Sequence, residues 1–242
     1  MLSKEFLSGE WRKLIMINYV INPDILMKFI PRGTRIDLWN NKCYVSLVGF
    51  MFKNTRLKGI PIPFHLNFEE VNLRFYVQYP DNSIQDYKRG VVFIKELVPK
   101  PALTFVANTI FKEHYATCEM NHEWLNCDDK QFVKYAWNIN RWNSISVEAR
   151  NELTEIRVGS EEEFITEHYW GYTLIDNETT SEYEVKHPKW KINEVLDYTI
   201  NVDFESTYGQ EFRFLNNERP TSVFLAEGSE ISVYPSKKMK FQ

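Results

Sequence analysis

The stretch "HLNFEEVNLRFYV", His65 to Val77, alternates Glu70, Asn72, Arg74 and Tyr76 with Val71, Leu73, Phe75 and Val77. Successive side chains of a strand point to opposite faces, so the four polar residues share one surface and the four apolar residues the other. The polar face reads in one of two ways. On a wet surface, Glu70 and Arg74 form an exposed pair worth little. On the inner wall of a closed sheet, a few convergent polar groups in an apolar lining make a binding site. There Arg74 can grip a carboxylate through its planar fork while Asn72 and Tyr76 donate neutral hydrogen bonds, or Glu70 and Arg74 can satisfy each other and serve stability alone. A strand with one face in water has no need of such chemical variety. The expectation is therefore that Glu70, Asn72, Arg74 and Tyr76 face an internal cavity, and that the four apolar residues pack outward against a helix or second layer.

The flanking sequence supplies further strands with little helix. "NPDILMKFIP" reads as a short helix opened by Pro23 and closed by Pro31. "RIDLWNNKCYVSLVGFMF" reads as a hairpin turning at Asn40-Asn41-Lys42. From Pro101 to Phe111, Leu103, Val106, Ala107 and Ile110 fall on one helical face. Further on, "QFVKYAWNINRW", "NSISVEARNEL", "YWGYTLID", "SEYEVKHPKW" and "YTINVDFES" read as strands, and "SVFLAEGSEISVY" as a closing hairpin around Glu227-Gly228. "SEEEFITEHYW" begins with a capping box, Ser160 with Glu163, and predicts one short helix. Many strands without alternation of strand and helix imply a mainly β fold with an antiparallel sheet, closed or stacked. Trp11, Trp39, Trp137, Trp142 and Trp190 read as core or pocket wall.

Composition narrows the function. With 242 residues, 43% of them hydrophobic, the chain can bury a sizeable core, and one domain is expected. A net charge of -4 gives no basic footprint for nucleic acid or an anionic membrane. The apolar patch from Leu14 to Ile21 is broken by Asn18 and reads as neither signal peptide nor membrane span. Three scattered cysteines, Cys43, Cys118 and Cys127, suit a reducing compartment, so a cytoplasmic location is expected.

"GEWRKLIMINYVINPDILMKFIP", "IPFHLNFEEVNLRFYV", "RGVVFIKEL", "ANTIFKEHYATCEM", "HPKW" and "FLAEGSEISVY" occur in the order seen in an uncharacterised bacterial family, the YqjF-like domain of unknown function. The sequence resembles that family over nearly its whole length, most specifically in the strand from Glu70 to Val77. The family is grouped with acetoacetate decarboxylase-like proteins. The resemblance implies one domain over residues 1–242, mainly β (α+β), an antiparallel acetoacetate decarboxylase-like β-barrel with a few peripheral helices around a central pocket. Acetoacetate decarboxylases form an imine on a lysine whose pKa is lowered by an apolar site and a neighbouring lysine, in a pattern like G-R-E-x-x-G-x-P-K-K. Laid against it, "ANTIFKEHYA" puts Ala107 at the glycine, His114 at the proline, Tyr115 at the first lysine and Ala116 at the second. A phenol forms no imine. Lys112 lies three residues upstream and reads as an exposed lysine. Glu70 resembles the pocket glutamate of the decarboxylases.

His114, Cys118 and His122 stand at i, i+4 and i+8 with Cys127 beyond, which would suit metal ligands on a helix. "HYATCEMNHEWLNC" reads instead as a strand leading into a turn near Asn121-His122, which spreads them apart, so no metal is expected. No G-x-S-x-G, G-x-G-x-x-G, phosphate loop or H-E-x-x-H is present, and no cofactor is expected. His187 in "KHPKW" reads as a structural turn residue rather than a general base. The sequence thus points to a small-molecule-binding barrel without the imine lysine, its ligand a small organic acid or carbonyl compound. The alternative is an enzyme of other chemistry, with Glu70 as general acid or base and Tyr115 as hydrogen-bond donor.

Overall fold

The computed structural model describes residues 5–81, 85–106, 108–109 and 113–241. Strand β1 (Leu7–Ile21) passes straight through the apolar patch. A 3-10 helix follows over Pro23–Phe29, where Asn22 caps the first turn by accepting from the Asp24 N–H at 3.0 Å. After the two-residue strand β2 (Arg35–Ile36), Asn40 and Asn41 both adopt positive φ between Trp39 and Lys42, which exchange backbone hydrogen bonds. Asparagine tolerates that region, and the turn launches β3 (Cys43–Leu57). The turn stands where expected, but its hairpin does not form. β2 pairs with β5 (Phe68–Asp81), Asp37 continues that pairing by donating its N–H to the Tyr76 carbonyl, and across the turn only Trp39 and Lys42 bridge.

β4 (Ile60–Pro61) folds back on β3, and β5 pairs along its length with β6 (Asp86–Val98). Helix α1 (Pro101–Val106) covers the first part of the stretch read as a longer helix. Ala107 and residues 110–112, Lys112 among them, lie outside the described residues. Next come β7 (Tyr115–Thr117), β8 (Glu119–Cys127), β9 (Lys130–Ile139) and β10 (Arg141–Glu155). The turn expected at Asn121-His122 is not there. β8 runs through both residues, and the chain reverses at Asp128, whose φ is 46°.

α2 (Glu161–Thr166) begins at the expected cap, with Ser160 Oγ accepting from the Glu163 N–H. β11 (Trp170–Asp176), β12 (Thr179–Lys186) and β13 (Lys191–Asn201) follow. The end of "YTINVDFES" turns into α3 (Phe204–Tyr208), because Asp203 accepts from the Ser206 N–H and caps a helix there. β14 (Ser222–Val233) and β15 (Lys237–Lys240) close the order. The expected hairpin at Glu227-Gly228 is replaced by one continuous strand. Gly228 sits within it at φ 80°, where a Cβ would lie 1.9 Å from the Trp11 carbonyl oxygen, so the position admits only glycine.

The strands hydrogen-bond in the order β15-β12-β11-β6-β5-β3-β1-β14-β13-β10-β9-β8. β12 also pairs with β14, through Val185 with Val233 and Lys186 with Ser232, so the run from β12 to β14 closes into a ring. The fold is mainly β, but the sheet is mixed rather than antiparallel. β6 pairs in parallel with β7 and with β11. α1 separates β6 from β7, and the whole of residues 99–169 separates β6 from β11; such long crossovers permit parallel pairing where hairpins do not.

Two apolar layers result. Val71, Leu73, Phe75 and Val77 are fully buried outside the ring, beside Tyr135 and Trp137 of β9, Ile145 of β10 and Phe204 of α3. Each such burial stabilises by about 1.5–3 kcal/mol. Leu14, Phe50, Val91 and Trp190 belong to the second layer, which backs the ring's interior. Trp142, read as core or wall, is exposed on β10. Among the described residues no helix is long and apolar enough to cross a membrane.

Candidate functional site

The ring encloses a cavity of about 300 Å³, and β1, β3, β5, β6, β7, β11, β12 and β14 all contribute to its wall. β5 supplies Glu70, Asn72 and Arg74 to it, spaced by two residues as strand geometry requires. Tyr115 of β7 joins them. Tyr76 does not. Its hydroxyl lies 2.6 Å from Ser46 Oγ, which itself donates to Asn18, and its ring packs between Phe164 and His168. The role of ligand donor expected for Tyr76 is corrected, because that hydroxyl is already committed to a buried polar chain.

Glu70 and Arg74 do not form the closed pair considered from the sequence. The Glu70 carboxyl accepts from Asn72 Nδ2 at 2.9 Å and from the Tyr115 hydroxyl at 3.3 Å. Arg74 acts on it only through its field, and among the described residues no carboxylate lies within ion-pair distance of the guanidinium. Arg74 is 8% exposed, and its Nε has no hydrogen-bond partner among the described residues.

Two further carboxyls that sequence reading missed converge on the same place. Glu96 of β6 stands opposite Asn72 in the β5–β6 ladder, and Glu113 enters from the segment before β7. Thr173 donates to Glu113 at 2.7 Å, and Tyr183 of β12 bonds it as well. Burial pushes Glu70 and Glu113 up to about 7, against the pull of their hydrogen bonds. Burial, and then the neighbouring Glu113 and Glu70, hold Glu96 well above the usual carboxylate range. The Tyr115 hydroxyl serves both Glu70 and Glu96 and is itself pushed far up by burial, so it remains a donor. The three carboxyls form one coupled acid system in which every member is held above the ordinary carboxylate range.

Local structure fixes these groups. Asn108 clamps the Tyr115 backbone from both sides, accepting from its N–H and donating to its carbonyl at 2.9 Å. Gly171 of β11 faces Tyr183 across the strand pair, and a Cβ there would meet the ring at 2.1 Å. The phenol lies over the glycine, which aims its hydroxyl at Glu113.

His168 lines the cavity beyond Tyr76. Its Nε2 lies 3.1 Å from Asp37, which also accepts from Arg89 Nε at 2.7 Å, and burial pushes the imidazolium down to about 4. His114, Cys118, His122 and Cys127 are strung along β7 and β8 and around them, and His122 is engaged by Glu69 at 2.6 Å. Among the described residues no cluster of His, Cys, Asp and Glu could hold a metal ion.

The family model of uncharacterized conserved proteins named DUF2071 matches residues 8–230. An uncharacterized protein, YqjF, of Bacillus subtilis (strain 168) is 25% identical over 200 residues, covering 79% of this chain and 77% of its own. An acetoacetate decarboxylase-like enzyme from Sphingomonas wittichii RW1 superposes with a TM-score of 0.64 at 10% identity, over 98% of this chain and 94% of that one. The enduracididine biosynthesis enzyme MppR, solved with pyruvate, gives 0.63 at 11% identity, over 96% of this chain and 88% of its own. At that identity the likeness is one of fold. The match over residues 8–230 settles the family: this chain belongs to DUF2071.

Proposed function

We propose that this chain is an intracellular protein whose single domain, residues 1–242, forms a barrel-like ring around a small organic acid or carbonyl compound and holds the ligand's carboxylate on Arg74. The observation that carries the reading is the state of that guanidinium. A buried guanidinium with no carboxylate within ion-pair distance among the described residues is costly, and an incoming carboxylate supplies both the charge and a bidentate hydrogen-bond partner. The pyruvate in the MppR structure supports the ligand class through the shared fold. Tyr115 stands where the resemblance places the imine lysine, so the reading is one of binding without a Schiff base and not of acetoacetate decarboxylation. No cofactor enters it. A net charge of -4 supports neither a nucleic-acid nor a membrane partner.

A second reading has its own support. Carboxyls that titrate near 7 are suited to general acid–base work, which favours an enzyme using Glu70 on the same ligand class. The test of the carboxylate reading is calorimetric titration with pyruvate and with acetoacetate. Wild type should bind, and Arg74→Met should weaken binding by about tenfold to a hundredfold, the worth of a charged hydrogen-bonded contact. Equal binding by both proteins would remove Arg74 from the role.

A further inference from the structure

His187 is a cavity-wall group that the carboxylate reading leaves unused. It follows β12 in "KHPKW", and its ring lines both the cavity and an outer groove of about 780 Å³. The ring is stacked on Trp190 at 4.3 Å and packs at a tilt of 35° against Tyr169 at 4.7 Å, which holds its plane. Nδ1 lies 2.9 Å from the Pro188 carbonyl oxygen. A carbonyl can only accept, so Nδ1 carries the proton and Nε2 of the neutral ring carries the lone pair. Among the described residues Nε2 has no hydrogen-bond partner. The neutral form prevails at neutral pH, because burial and then the charge of Arg74 push the imidazolium down to about 4. His187 and Arg74 both line this cavity.

We propose that His187 is the cavity's proton acceptor: its Nε2 removes a hydrogen from the carbon beside the carbonyl of an oxo acid held by Arg74, and the outer groove exchanges that proton with solvent. The inference rests on the carboxylate reading and adds a reaction to it. In the step, the substrate C–H bond breaks and its electron pair forms the C=C bond of an enol. The carbonyl oxygen takes the proton of the Glu70 carboxyl, leaving a carboxylate, and Nε2 becomes protonated. Reversal delivers a solvent hydrogen from His187 to the carbon and returns the enol proton to Glu70. No electrons enter or leave, and no other reactant is consumed. The buried acid cluster and the histidine thus divide the work of acid and base.

The experiment follows pyruvate methyl hydrogens by proton NMR in heavy water, with binding measured on the same samples. Wild type should exchange them faster than buffer does. His187→Gln should lose about a hundredfold or more of that rate, the usual worth of a positioned base. His187→Phe keeps a flat ring against Trp190 but has no lone pair, and it should bind pyruvate without exchanging it. In His187→Ala, added imidazole should restore part of the rate by entering from the groove. Pyruvate binding to wild type without exchange, or exchange undiminished in folded His187→Phe, would overturn the inference and leave the carboxylate reading standing. No binding of pyruvate by wild type would overturn both.

Discussion

Glu70→Gln should make the folded protein more tolerant of alkali. Glutamine is the same size and keeps one acceptor oxygen, which can serve Asn72 or Tyr115 but not both since they bond different oxygens of Glu70, and it cannot ionise. The wild-type carboxyl moves from its ordinary 4.5 to about 7 on folding, because burial penalises the charged form. A raised folded-state pKa means that the native state binds the proton more tightly than the unfolded chain does. Its contribution is fully present below the unfolded value of 4.5 and is lost as pH rises through the folded value of about 7. At about 1.36 kcal/mol per pKa unit, the whole loss is about 3 kcal/mol, of which about 2 kcal/mol falls between pH about 5.5 and about 8. His168 and His187, both pushed down to about 4, work in the opposite sense, their contribution falling away as pH drops below their ordinary 6.5. The informative quantity is therefore the difference between variants. Urea unfolding at the two pH values should show Glu70→Gln gaining about 2 kcal/mol on wild type as pH rises, with unchanged m. Parallel pH dependence in the two proteins would mean that Glu70 is already ionised in the native state, and the account of the acid cluster would fall.

Other consequences follow from the same residues. Gly171→Ala should drive Tyr183 off Glu113 and destabilise by about 1–3 kcal/mol, the range for overpacking a filled site; an unchanged melting temperature would show that the ring has room to move. Borohydride reduction in the presence of acetoacetate should give no lysine adduct, and mass spectrometry finding one would contradict the place given to Tyr115. Binding of a carboxylate near neutral pH should be accompanied by proton uptake, since the incoming charge raises the pKa of Glu70 and Glu113 further; calorimetry in buffers of different ionisation enthalpy measures it, and proton release would reverse the argument.

The strand from Glu70 to Val77 was legible because its period of two is local and its two faces differ in chemistry. The Ser160 cap and the Asn40-Asn41 turn were legible for the same reason: each is decided within a few residues. Glu96, Glu113 and Tyr183 were not. Glu96 sits in "VVFIKEL", an apolar run whose two buried faces give no alternation to read, and only the register of β6 on β5 brings it opposite Asn72. Tyr183 reaches Glu113 through pairing of β12 with β11, and β11 itself lies parallel to β6 across a crossover that no local pattern announces. His187 was seen as a turn residue, which describes its backbone. The turn hides the tautomer that its contact with Pro188 fixes and the cavity on which its ring borders.

The pairing of β1 with β14 has a consequence for how the chain reaches this state. Lys13 and Glu227 touch at 2.6 Å although 214 positions separate them. One edge of β1 therefore waits for a partner until nearly all the rest of the sequence has been synthesised, and during that interval it presents open peptide groups beside Leu14, Ile15, Met16 and Ile17. Pairings of such range are slow to form, and an unfilled apolar edge is a template for other chains. Truncation before Ser222 should thus yield aggregates rather than a smaller folded body, and the nascent chain is exposed to the same hazard on every round of synthesis until β14 arrives.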